Sequence, residues 1–115
     1  MRTLRKAAEV PSHAAELLRE CKRLIQQYAP NATVLLYGSV ARGVAGPDSD
    51  WDLLVLTVAP PTPAQRRGIS DALYGLELQH GLVISELVCS RDEWDASVSR
   101  VGPLHQNVDR DGVLI

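Results

Sequence analysis

The pattern of apolar residues predicts a small α/β (α+β) domain, a mixed β-sheet covered by helices. Three observations carry that reading. Apolar side chains recur at helical steps over residues 12–28. Three short apolar runs, 32–37, 51–58 and 82–88, are bounded by turn residues and read as buried strands. Helical segments fall between and after them, giving the order α-β-(short α)-β-α-β-α-α. The chain has 115 residues, the length of one domain, here 1–115.

Each element has a local cause. In 12–28, Ala14, Leu17, Leu18, Cys21, Leu24, Ile25 and Tyr28 form one stripe, and Arg19, Glu20, Lys22, Arg23 and Gln26 lie opposite. Pro30-Asn31 stops that helix. The run Ala32–Tyr37 ends at Gly38-Ser39, followed by a brief helical turn through Val40–Arg42. Gly43 to Asp50 is rich in Gly, Pro, Asp and Ser and reads as a loop. Pro60-Pro61 breaks the chain after the second strand. Thr62-Pro63-Ala64-Gln65 then combines an N-cap, a proline at the first helical position and a capping-box Gln, with Gly81 placed to end the helix near Gln79. Ser90-Arg91-Asp92-Glu93 repeats the capping pattern, and a last short helix runs from Pro103 to Gly112. A mixed rather than purely parallel sheet is expected, although periodicity leaves strand direction open.

Composition narrows the functional classes. Apolar residues make up 45% and charged residues 23%, which excludes a disordered or collagen-like chain. No run approaches the roughly 18 apolar residues of a membrane span. The formal charge is −2, with seven basic and three acidic residues before position 48 and five basic and eleven acidic after it. That is too weak a basic bias for direct nucleic-acid binding. Cys21 and Cys89 are far apart in apolar segments and read as buried free thiols. The basic start lacks an apolar stretch, so no signal peptide is expected and the cytoplasm is the expected compartment. His13, His80 and His105 are scattered over helix surfaces and ends and suggest no ligand set.

The chemistry concentrates in Tyr37-Gly38-Ser39-Val40-Ala41-Arg42-Gly43 and Asp48-Ser49-Asp50-Trp51-Asp52-Leu53. A strand that stops at a glycine and turns at once into a helical bend lets a ligand approach the backbone closely. Ser39 adds a hydroxyl, and the exposed amides of the bend favour an anion, together a cradle for phosphate. Asp50 and Asp52, two apart at a strand start, send both carboxylates from one face. Such a pair repels itself, and a divalent cation relieves the conflict; Mg²⁺ takes one or two carboxylates together with substrate phosphates and water. Trp51 points the other way, into the core. Three competing motifs fail. Val44-Ala45 stand where a P-loop needs Lys and Ser/Thr. Leu53 and Ala59 stand where a calcium loop needs Gly and Glu. In an aspartyl-phosphate enzyme the Asp pair ends a strand, whereas here it opens one.

Gly38-Ser39, ten further residues, then Asp50-x-Asp52 resembles the signature of the polymerase-β-like nucleotidyltransferase superfamily. The longer string, Tyr-Gly-Ser-x-Ala-Arg-Gly followed by Asp-Ser-Asp-Trp-Asp-Leu, looks like its minimal nucleotidyltransferases. The tail Pro103–Gly112 looks like the ending of one branch, so the resemblance runs from about Val34 to Gly112. It implies the nucleotidyltransferase fold and transfer of a nucleoside monophosphate, AMP from ATP, to an acceptor hydroxyl with Mg²⁺ or Mn²⁺. It implies that Gly38 and Ser39 hold the β- and γ-phosphates of a nucleoside triphosphate, with Arg42 as a further phosphate contact or, equally, an exposed helix residue. Asp50 and Asp52 would bind the metal. Many members carry a third carboxylate on the next strand, acting on the metal or as base; Glu86 is the candidate, a Glu where Asp is commoner. At a single domain's length no second domain is expected to build an acceptor pocket, so the acceptor or its binding surface is expected on a partner protein. Minimal nucleotidyltransferases often pair with a helical HEPN-type protein as toxin and antitoxin. The alternative to an enzyme is therefore an antitoxin that neutralises a HEPN toxin by binding, with or without adenylylation.

Overall fold

The computed structural model describes residues 2–3, 12–42, 50–96 and 102–115. Along the chain these form β1 (Arg2–Thr3), α1 (Ser12–Tyr28), β2 (Thr33–Tyr37), α2 (Gly38–Ala41), β3 (Trp51–Thr57), α3 (Pro63–His80), β4 (Ile84–Ser90), α4 (Arg91–Ala96), α5 (Pro103–Asp111) and β5 (Val113–Leu114). The strands make one sheet in the order β1-β5-β2-β3-β4. It is mixed, as expected. β2 is antiparallel to both β3 and β5, while β3–β4 and β1–β5 are parallel.

The three expected strands and all the expected helices form, with ends shifted by one or two residues. The third strand starts later than expected, at Ile84, because Gly81 takes a left-handed conformation (φ +65°) and its N–H bonds back to Glu77. The two short strands, Arg2–Thr3 and Val113–Leu114, were not signalled in the sequence. Two residues are too few to show an alternation, and each pairs with a partner far along the chain. Gly43, Asp48 and Ser49 of the expected loop lie outside the described residues.

Alternation along the strands sorts the molecule into two layers. Val34, Leu36, Leu53, Val55, Ile84 and Val88 face α1 and α3, where Leu18, Ile25, Ile69 and Leu73 are fully buried. Leu35 and Leu54 face the other way, toward Val108 of α5 and Trp94 of α4. The first layer is the larger, and at about 1.5–3 kcal/mol for each fully buried Leu or Ile it dominates the hydrophobic stabilisation. The second layer is thinner, and the end of it near Tyr37 and Asp52 is left to polar groups.

Caps hold the helices in place. Thr62 and Gln65 exchange both bonds of a capping box, 2.9 and 3.1 Å. Ser90 and Glu93 do the same at the start of α4, 2.8 and 3.1 Å. His105, expected on a helix surface, is instead buried. Its ring stacks on Trp94 with centroids 3.6 Å apart, and its Nε2 lies 3.0 Å from the Trp94 carbonyl. Cys21 is buried and Cys89 half-buried, and both are free thiols. Burial pushes the Cys21 thiol up to about 12, which leaves it unreactive at neutral pH.

These layers predict the relative cost of two substitutions. Leu36→Ala empties the centre of the larger core and lowers stability by about 2–5 kcal/mol. Thr62→Ala removes only a cap and lowers it by about 1 kcal/mol. Urea unfolding followed by circular dichroism measures both.

Candidate functional site

The site is built where β2 ends and β3 begins. The antiparallel register sets Tyr37 directly opposite Asp52, so both side chains leave the sheet on the α4–α5 side. At Gly38 the chain turns with φ +78° and enters the single turn of α2. Two constraints require glycine there. The left-handed conformation is strained for any residue with a Cβ. A Cβ would also stand 2.3 Å from Oδ2 of Asp52. The Asp52 carboxylate is therefore seated against the backbone of the turn, which joins the turn and the acidic strand into one site.

Behind the turn, Val40 and Ala41 are buried in the larger core and fix α2. Ser39 is left half-buried at its start. The Arg42 N–H donates to the Gly38 carbonyl at 3.1 Å and closes the bend. Trp51, between the two acids, packs against the opposite layer as expected.

Electrostatics mark the same place. Asp50 is exposed and Asp52 half-buried. The Asp52 carboxyl is held above the usual carboxylate range by its burial and by the charge of Asp50, an effect that Arg42 partly offsets. The Tyr37 phenol is also pushed up, by burial and by the charge of Asp52. Two acids and one guanidinium therefore act on one another here. Arg42 is not an isolated surface residue. Its Nη1 donates to Oδ2 of Asp111 at 3.0 Å, which ties α2 to the end of α5.

The structure brings Gly38, Ser39, Arg42, Asp50 and Asp52 together and leaves Glu86 out. The β3–β4 register pairs Glu86 with Leu53, on the α1–α3 face of the sheet. The neighbour of Asp52 on β4 is Ser85, which is exposed. A period of two explains the difference, because one position along a strand exchanges the faces. Glu86 has its own partners. Burial raises its carboxyl, and hydrogen bonds from the Ser70 hydroxyl and its own backbone N–H pull it back down. Among the described residues, no group of three or more His, Cys, Asp or Glu could hold a metal ion. Asp50 and Asp52 offer hard oxygen donors, which suit Mg²⁺ only if phosphate oxygens and water complete the shell. Asp111 escaped the sequence reading because an acid in the run Asp109-Arg110-Asp111 looks like a solvated helix end. Only the fold shows it buried against Arg42.

Comparison with known proteins agrees with this geometry. A model of the nucleotidyltransferase domain family matches residues 15–102, a span that holds the turn, both acids and β4. Among solved structures, the chain resembles one described as "Crystal structure of the toxin-antitoxin with AMP-PNP". The two share 18% identity with a TM-score of 0.60, over 84% of this chain and 69% of that one, a likeness of fold. No curated protein matches the chain. With a mixed sheet and a glycine turn set against an acidic strand start, inside a match that covers most of its length, the chain belongs to the nucleotidyltransferase domain family and has the polymerase-β-like nucleotidyltransferase fold.

Proposed function

We propose that the protein transfers a nucleoside monophosphate, AMP from ATP, to a hydroxyl on a partner protein, using Mg²⁺ or Mn²⁺. The observation that carries this reading is the close approach of the Asp52 carboxylate to the Gly38 turn. It leaves the acids and the turn within reach of a single triphosphate.

In this reading Gly38 and Ser39 bind the β- and γ-phosphates. Gly38 supplies the left-handed turn that lets the Asp52 carboxylate close against the bend, so that the backbone of the bend and the acids face one ligand. Ser39 donates its hydroxyl, and Arg42 adds a cationic contact. Asp50 and Asp52 hold the divalent ion. That ion, when bound, neutralises charge on the triphosphate and on the departing pyrophosphate. The acceptor oxygen forms a bond to the α-phosphorus as the α–β bridging bond breaks. Pyrophosphate leaves with the bond's electron pair, and the acceptor proton passes to solvent or to a base on the partner. Glu86, facing the other layer, takes no part.

A second reading makes the protein an antitoxin that neutralises a HEPN-type toxin by binding it. The resemblance to a chain from a toxin–antitoxin structure supports a toxin–antitoxin setting. Among the described residues no helix is long and apolar enough to cross a membrane.

Two predictions separate these readings and test the site. Incubation with labelled ATP, Mg²⁺ and the cognate toxin transfers label to the toxin. The double variant Asp50→Asn/Asp52→Asn lowers that transfer at least about a hundredfold, as expected when charge stabilisation at the reacting phosphate is removed. Neutralisation that persists in the double variant favours binding alone. The second prediction concerns pH. In the metal-free fold the Asp52 carboxyl lies above its ordinary value of 3.8. The folded state therefore binds the proton more readily than the unfolded chain, and stability falls as pH rises through that window. Asp52→Asn removes the penalty. In thermal melts without metal, the variant is more stable than the parent at neutral pH, and the gain shrinks as the pH is lowered toward 3.8, below which it is lost.

A further inference from the structure

Asp111 is the most deeply buried carboxylate among the described residues, at 5% exposure. A carboxylate so placed needs partners, and it has two. Arg110, its neighbour in sequence, donates through Nε to Oδ1 at 3.1 Å and through Nη2 to Oδ2 at 3.0 Å. Arg42, 69 positions away, donates through Nη1 to the same Oδ2 at 3.0 Å. The cluster of one acid and two guanidinium groups keeps a net positive charge. Asp111 therefore orients Arg42 without cancelling its field, which still reaches Asp52. Arg42 itself stands at the last position of the α2 bend, with its side chain 41% exposed. Its Nε and Nη2 have no hydrogen-bond partner among the described residues. A half-exposed long side chain with one nitrogen clamped beside an acidic pair is suited to meeting a polyanion.

We propose that Asp111 is a positioning residue: its ion pair with Arg42 fixes the guanidinium beside Asp50 and Asp52 so that the remaining donors meet the triphosphate. The inference rests on the nucleotide reading of the site and adds that the last helix organises it. α5 meets the bend directly through the Arg42–Asp111 pair. Without Asp111 the guanidinium has to be ordered when the nucleotide binds, and affinity falls by the cost of that ordering.

The test is the dissociation constant for AMP-PNP with Mg²⁺, measured by titration calorimetry on the full chain. The parent binds. Arg42→Gln and Asp111→Asn each weaken binding about tenfold, in line with the loss of one charge-assisted contact. The double variant is no weaker than Arg42→Gln alone, because Asp111 acts only through Arg42. Asp111→Glu, which keeps the charge, retains more affinity than Asp111→Asn. Val108→Ala, a cavity in α5 at a side chain packed on Leu35 and Leu54, lowers the melting temperature and leaves the affinity unchanged, so loss of stability alone does not reproduce the effect. Parent-like affinity in Asp111→Asn, or a full Asp111 effect in the Arg42→Gln background, overturns this inference alone. A parent that binds no nucleotide with either Mg²⁺ or Mn²⁺ overturns the nucleotide reading and this inference with it.

Discussion

The contact between the Asp52 carboxylate and the α-carbon of Gly38 is the constraint on which the rest of the site depends. Any side chain at position 38 would occupy the place of that carboxylate. The antiparallel pairing of β2 with β3 sets the contact, since it puts Tyr37 and Asp52 side by side and leaves Gly38 as the first residue past the ladder. The larger hydrophobic layer, through Val40 and Ala41, then holds the bend while its outer edge stays open. Packing and chemistry are separated across the sheet. Aliphatic side chains fill the α1–α3 side, and acids, phenol and guanidinium gather at one end of the thinner α4–α5 side.

This arrangement stores an electrostatic conflict. Asp50 and the partial burial of Asp52 both oppose a second negative charge, and Arg42 relieves only part of that opposition. A site whose acids are uncomfortable alone is suited to a cation that arrives with its own anion. The tail adds to this by pairing the half-exposed Arg42 with the buried Asp111 carboxylate. Beside Asp52, β4 presents Ser85 rather than an acid.

Much of this was legible in the sequence. The apolar stripe of 12–28, the three strand runs and the Thr62–Gln65 capping signal each describe a local cause that the fold obeys. The Gly38-Ser39 and Asp50-x-Asp52 strings were readable because their chemistry is local too, a turn and a strand start. Glu86 and Asp111 were not, for a common reason. The face on which Glu86 lies is set by the register of β4 on β3, and the burial of Asp111 by α5 docking on α2. Both depend on pairing between distant segments, which no local pattern states. The two-residue strands and the stacking of His105 on Trp94 belong to the same class.

The central claim is that the glycine bend and the two acids hold one metal–nucleotide pair between them. Paramagnetic broadening of backbone amide signals by Mn²⁺ added with AMP-PNP locates the ion directly. The account predicts the strongest broadening at Gly38, Ser39, Asp50 and Asp52, dependent on nucleotide and absent when both acids are replaced by Asn. Broadening centred on Ser70 and the α3 face, or unchanged by loss of the two acids, would contradict it.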